Sequence, residues 1–248
     1  MFPTRSTTAI SLLVLGVALQ NCAYAQSKSV SDLMVRTSSL SAIRPNDCSE
    51  KDSAQLSSCD EKNAEVAREL SSFGRRGQLI ARTRAQVLEI LNGQNTCAAW
   101  FQEANPETVD VFRSLHYQLD MSGSSDIYSS RDDRGRLILM YPWGAKSDEF
   151  GGVDSTIVLN RDGPFFVGVS RVAQGPASAS GWIQVMLGPY VGNTAEARIT
   201  IVLHELGHIV GRLPEDDGSW NGRSSRNTAE MLQHCKSDIH LIARRYPR

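Results

Sequence analysis

The sequence predicts an α+β fold: helices at the N-terminal end, a small and mostly antiparallel sheet, then a buried helix and a C-terminal helix. Three observations carry that expectation. Between residues 60 and 114 helix-forming stretches follow one another, with apolar residues recurring at helical spacing. From 115 to 187 short apolar or alternating runs are separated by turn residues, and from 193 onward the helical period returns. The 248 residues, 41% apolar and 21% charged, suffice for one domain with a small appendage and for a real core. A net charge of -1 gives no electrostatic footprint, so neither nucleic acid nor stable membrane association is expected.

Residues 1–25 read as a signal peptide: Arg5 supplies the positive start, residues 9–19 an apolar run, and Ala23-Tyr24-Ala25 the cleavage site. The run is too short for a permanent span. A lipoprotein reading would use Cys22, but Leu19-Gln20-Asn21 places bulky residues where small ones are needed. The chain is therefore expected to be exported, to the periplasm or the exterior. Cleavage leaves Cys48, Cys59, Cys97 and Cys235, and an even count in an exported chain reads as two disulfides. Of three possible pairings, Cys48–Cys59 with Cys97–Cys235 is the simplest. A rival reading makes Cys48 a thiolate that blocks a zinc site in a latent form.

Residues 26–58, rich in Ser, Asp and Asn, read as a leader or short pro-segment. Helices are expected at 60–73, which starts acidic, and at 77–91, where Ile80, Val87, Leu88 and Leu91 repeat before an Asn92-Gly93 stop. Together 26–93 form a leader with scaffold helices, ahead of a metal-binding domain at 94–248. Residues 96–104 carry Trp100 and Phe101 as core anchors, and Asn105-Pro106 reads as a cap opening a helix at 106–114. From Leu115 the period is two, with His116 on the polar, solvated face of a strand. Residues 122–130 read as loop, and further strands are expected at 137–141, 155–160, 164–170 and 182–187.

Asn193 is the expected cap of the next helix, with Glu196 reaching back. Apolar residues surround this helix, and Gly211 and Pro214 end it, so it reads as buried. It carries His204-Glu205-Leu206-Gly207-His208. Positions i and i+4 share one helix face, so both imidazoles reach one ion, and Glu205 projects beside them where it could take a proton from water.

This H-E-x-x-H helix resembles the signature of the zincin metallopeptidases, and the likeness extends to the order of elements from about residue 137 onward. The resemblance implies a zincin-like fold, Zn2+ bound by His204 and His208, Glu205 as general base, and a peptide or protein substrate. It also implies a third ligand. Metzincins continue with a Gly, matched by Gly211, but three residues later this chain has Pro214, which binds no metal. Gluzincins take a Glu from a following helix, where this chain has Glu230 and, one turn on, His234.

Asn227-Thr228 reads as the cap of that last helix, on which Glu230, His234 and Asp238 share a polar face beside a Met231, Cys235 and Ile239 stripe. His234 is the preferred third ligand, fixed by a disulfide at Cys235 and oriented by Glu230 or Asp238. The alternatives are Glu230 itself and Asp216 or Asp217 in the loop after the helix. Zinc brings its water near pKa 7. Glu205 then takes the proton and returns it to the leaving amine. Tyr190 is a possible oxyanion donor, and a sheet edge could hold an extended peptide. Two other readings remain: a zinc hydrolase of non-protein amides, and a non-catalytic exported binding module whose zinc is structural or absent.

Overall fold

The computed structural model describes residues 53–246, apart from 124–125, 132–133, 148–149, 173–180 and 217–221. The expected signal peptide, Cys48, Asp217 and most of the leader lie outside these residues. So does the side chain of Cys59, and with it the Cys48–Cys59 bridge.

The N-terminal third is helical. Helix α1 (Ser53–Ser72) starts earlier than its acidic stretch suggests, and α2 (Arg75–Leu91) follows after a short turn. Ile80, Val87, Leu88, Ile90 and Leu91 face inward from α2, and Asn92 closes it, as the periodicity requires. Helix α3 (Thr96–Ala104) is capped by Asn95, whose side chain accepts from the Ala98 amide, and buries Trp100 and Phe101. Asn105 does not open a helix. Its Oδ1 accepts from the Glu107 amide in a tight turn, and α4 (Thr108–Arg113) begins later.

Among the described residues nine short strands follow, and their pairing is mostly antiparallel. Strands β1 (His116–Asp120), β4 (Ala145–Ser147) and β5 (Thr156–Asn160) form a three-stranded sheet in the order β1-β5-β4. Here β1 runs parallel to β5 and β4 antiparallel to it, which leaves β4 at an edge. The remaining strands pair in twos. β2 (Tyr128–Arg131) lies on β3 (Leu137–Met140), β6 (Val169–Val172) on β7 (Gly181–Gln184), and β8 (Met186–Leu187) on β9 (Tyr190–Val191). Among the described residues the expected single sheet is thus four small ones, and β2 lies partly in the stretch read as loop. β4 had no sequence signal, because three residues are too few to show a period. His116 is not simply solvated: its Nδ1 lies 3.3 Å from Glu69, whose other oxygen accepts from the Tyr117 amide.

Helices α5 (Ala195–Ile209) and α6 (Arg223–Arg245) complete the fold. The N-cap of α5 is Thr194, whose hydroxyl accepts from the Ala197 amide. Asn193 instead stands at φ 60° and accepts hydrogen bonds from Arg198 through its carbonyl and side-chain oxygens. Every residue of α5 from Ala197 to Ile209 is buried, in one core with side chains from α1, α2, α3, β1, β5 and α6. The Met231, Cys235 and Ile239 stripe of α6 is fully buried, and Cys235 is bonded to Cys97 of α3 with the Cα atoms 4.4 Å apart. Among the described residues no helix is long and apolar enough to cross a membrane.

The Cys97–Cys235 bridge spans 138 residues of chain. Loop closure of that length removes much unfolded-chain entropy, so the Cys97→Ala/Cys235→Ala double variant is expected to lose about 2–5 kcal/mol of stability. A denaturant melt under non-reducing conditions reads this directly.

Candidate metal centre

The centre is built on the C-terminal half of α5. One helical turn separates His204 from His208, and their Nε2 atoms converge to 3.0 Å with the rings edge to face. Asp216, in the loop that leaves α5, completes the group. Its Oδ2 lies 2.9 Å from His204 Nε2 and its Oδ1 3.7 Å from His208 Nε2. Metal bonds of about 2.0–2.2 Å at tetrahedral angles put ligand atoms roughly 3.3 Å apart, inside the observed spread. Two imidazole nitrogens and a carboxylate are moreover donors that divalent transition ions accept. His204, His208 and Asp216 therefore form a group able to hold a metal ion.

Loop geometry follows from packing beneath the motif. Leu213 lies under Gly207, where an added Cβ would stand 2.6 Å from Leu213 Cδ1, so the smallest residue of the motif makes room for the returning chain. Gly211, at φ 73°, supplies the left-handed turn that reverses it. The Arg212 guanidinium then sits 4.7 Å over the Trp100 ring and pairs with Glu103. Finally the Asn227 amide donates to both Pro214 O (2.8 Å) and Asp216 Oδ1 (2.7 Å).

Burial works against a charged Asp216, but the hydrogen bond from His204 and the neighbouring His208 imidazole outweigh it and hold the carboxyl well below the usual carboxylate range. His208 is the converse. Burial disfavours its cation, and the nearby Asp216 carboxylate with the charge of Glu205 raises its pKa nonetheless. Glu205 is 6% exposed, and burial pushes its carboxyl above the ordinary range. The His204 and His208 imidazoles and a hydrogen bond from Ser147 restrain that rise. Ser147, on edge strand β4, donates its hydroxyl to Glu205 Oε2 at 2.8 Å.

Of the residues singled out in the sequence, the structure brings together His204, Glu205, His208 and Asp216. It does not bring His234, the preferred third ligand. That ring stacks on Trp100 at 5.3 Å, and its backbone carbonyl accepts from Thr96. The reason is axial position: α6 meets the metal group at Thr228, and six further residues carry His234 about 9 Å along the helix. Glu230 is exposed, because two residues turn it to the far side of α6 from Thr228. Nor does Asp238 orient an imidazole: its Oδ2 accepts from the Cys97 amide and the Thr96 hydroxyl at the start of α3. Tyr190 stays outside the group. It packs against the core, and the charge that raises its pKa alongside burial is Glu196, in the first turn of α5.

Three residues were missed. Asn227 and Thr228 read as helix caps because both types favour that position, yet α6 starts earlier, at Arg223, and both are buried inside it. Thr228 Oγ1 lies 3.0 Å from His204 Nδ1. Ser147 carried no signal, being in a strand too short to recognise. No protein-family model, curated protein or solved structure matches this chain.

Stoichiometric metal titration of the purified chain is expected to show one divalent ion, lost in His204→Ala, His208→Ala and Asp216→Ala. His234→Ala and Glu230→Ala are expected to retain it. Gly207→Ala should cost about 1–3 kcal/mol through the Leu213 clash, and the metal affinity should fall with it. Calorimetric melts of the metal-free and metal-loaded protein separate the two effects.

Proposed function

We propose that this chain is an exported, zinc-dependent peptidase in which His204, His208 and Asp216 bind the ion and Glu205 is the general base. One observation carries the proposal. Beside a group of metal-competent donors stands a buried carboxyl that the ion does not need, one oxygen of which accepts a hydrogen bond from a serine of an edge strand. Metal-assisted hydrolysis uses a carboxyl in this place as its general base.

A divalent ion held there supplies polarisation of the scissile carbonyl and a water that ionises near pH 7. Zn2+ is favoured because two imidazoles and one carboxylate are its usual ligands where hydrolysis is performed. The chain's own residues do the rest. Glu205 accepts the proton of the attacking water and hands it to the departing amine, and its raised pKa brings it nearer the working pH, where proton transfer in both directions is efficient. Ser147 occupies Oε2 and leaves Oε1 for the proton. Asp216, ionised throughout, neutralises part of the ion's charge.

Strand β4 supports a peptide as the substrate class. It is an edge strand, and its Ser147 touches the base, so an extended main chain added along that edge would pass beside Glu205 and the ion. A peptide meets this requirement because it presents alternating N–H and C=O groups at strand spacing.

Incubating the metal-loaded protein with a mixed-sequence peptide pool, read by mass spectrometry, is expected to give cleavage that Glu205→Gln abolishes while the metal content stays unchanged. A general base contributes about 10²–10⁴-fold, so residual turnover above a hundredth of the original would remove Glu205 from that role. Ser147→Ala is expected to lower kcat about tenfold through loss of one hydrogen bond to a charged group, with KM largely unaltered. Undiminished cleavage in a zinc-depleted sample would show that the activity belongs to a contaminant.

A further inference from the structure

Two adjacent residues of α6 act on the metal group from behind. Thr228 is buried, and its hydroxyl lies 3.0 Å from His204 Nδ1, the ring nitrogen that points away from His208 and Asp216. Asn227 is buried too, and its two amide hydrogens go to Asp216 Oδ1 and to the Pro214 carbonyl of the same loop. We infer that Asn227 and Thr228 are positioning residues of the metal centre, holding Asp216 and His204 in the orientation that binds the ion. The inference rests on the metal-binding reading of His204, His208 and Asp216.

Chemistry explains the two residue types. An imidazole that binds metal through Nε2 keeps its proton on Nδ1 and must donate it. An imidazole that instead donates Nε2–H to Asp216 needs a donor at Nδ1. A hydroxyl satisfies both by rotating, which a carbonyl or an ammonium cannot do. Thr228 therefore keeps the His204 ring in one plane whether a proton or a metal stands between it and Asp216. Asn227 does a different task. Asp216 sits on a loop, and a carboxylate there is free to rotate unless one oxygen is held. A neutral amide holds it without adding a charge that would compete with the ion, and its second hydrogen ties down the backbone two residues earlier. Both residues reach the centre from a helix fixed to α3 by the Cys97–Cys235 bridge, so their own positions are not soft.

The test uses the full chain and the metal alone. Zn2+ affinity is measured by competition with a chromophoric chelator, and ligand geometry by the visible spectrum of the Co2+-loaded protein. Thr228→Val, close to isosteric, and Asn227→Ala are each expected to weaken Zn2+ binding about 10–100-fold and to alter the Co2+ band. Thr228→Ser, which keeps the hydroxyl, is expected to restore affinity to within about threefold of the original. His234→Ala, on the same helix and half-buried against Trp100 but remote from the metal group, should leave both readouts unchanged. Tight binding and an unaltered Co2+ spectrum in Thr228→Val and Asn227→Ala would overturn the inference while leaving the metal site intact. A Thr228→Ser variant as weak as Thr228→Val would overturn it too, by showing that packing rather than the hydroxyl matters. If the unmodified chain bound no metal, or bound it equally after His204→Ala, the metal-site reading itself would fall.

Discussion

Three ionisable side chains, His204, Glu205 and His208, are carried into the interior by a helix that is buried along almost its whole length. Taking such groups out of water costs several kcal/mol each unless they find partners. The rest of the structure supplies them. Asp216 meets the two imidazoles from the loop, Ser147 meets Glu205 from the sheet, and Thr228 meets His204 from α6. Each partner comes from a different element, so the centre forms only when α5, the sheet, the loop and α6 have docked. Coupling of this kind makes metal binding and tertiary folding one equilibrium.

The C-terminal helix owes its importance to that coupling. It contributes no metal-binding side chain among the described residues, yet it touches the centre at two points and is pinned at a third. Its apolar stripe packs on α5, its disulfide joins α3, and its His234 ring lies against Trp100, which also carries the Arg212 guanidinium. Arg212 belongs to the loop that delivers Asp216. Trp100 is thus the hub through which α3, α6 and the loop are held in register. His234 serves this hub.

Much of the architecture was legible because it depends on local pattern. The helical period of α2, the amphipathic stripe of α6 and the turn chemistry around Gly211 all act over a few residues, and all appear in the structure. The Cys97–Cys235 pairing was legible for a different reason, since the four cysteines after residue 25 allow only three ways of forming two bridges. Strand β4 was not legible, and neither was the division of the strands into four sheets. Pairing is a long-range property, and three residues carry no period.

The same division runs through the centre itself. Sequence alone determined His204, Glu205 and His208 as a set, because four-residue spacing on a helix fixes two imidazoles on one face whatever surrounds them. For the third ligand it preferred His234 over Glu230 and over Asp216 or Asp217, and His234 lies away from the group. Tertiary structure made the choice for Asp216, through a left-handed turn at Gly211, a leucine under Gly207 and the Asn227 amide, all of which act across the fold. It also turned two apparent helix caps into supports of the centre, because where a helix begins depends on what the preceding loop must reach.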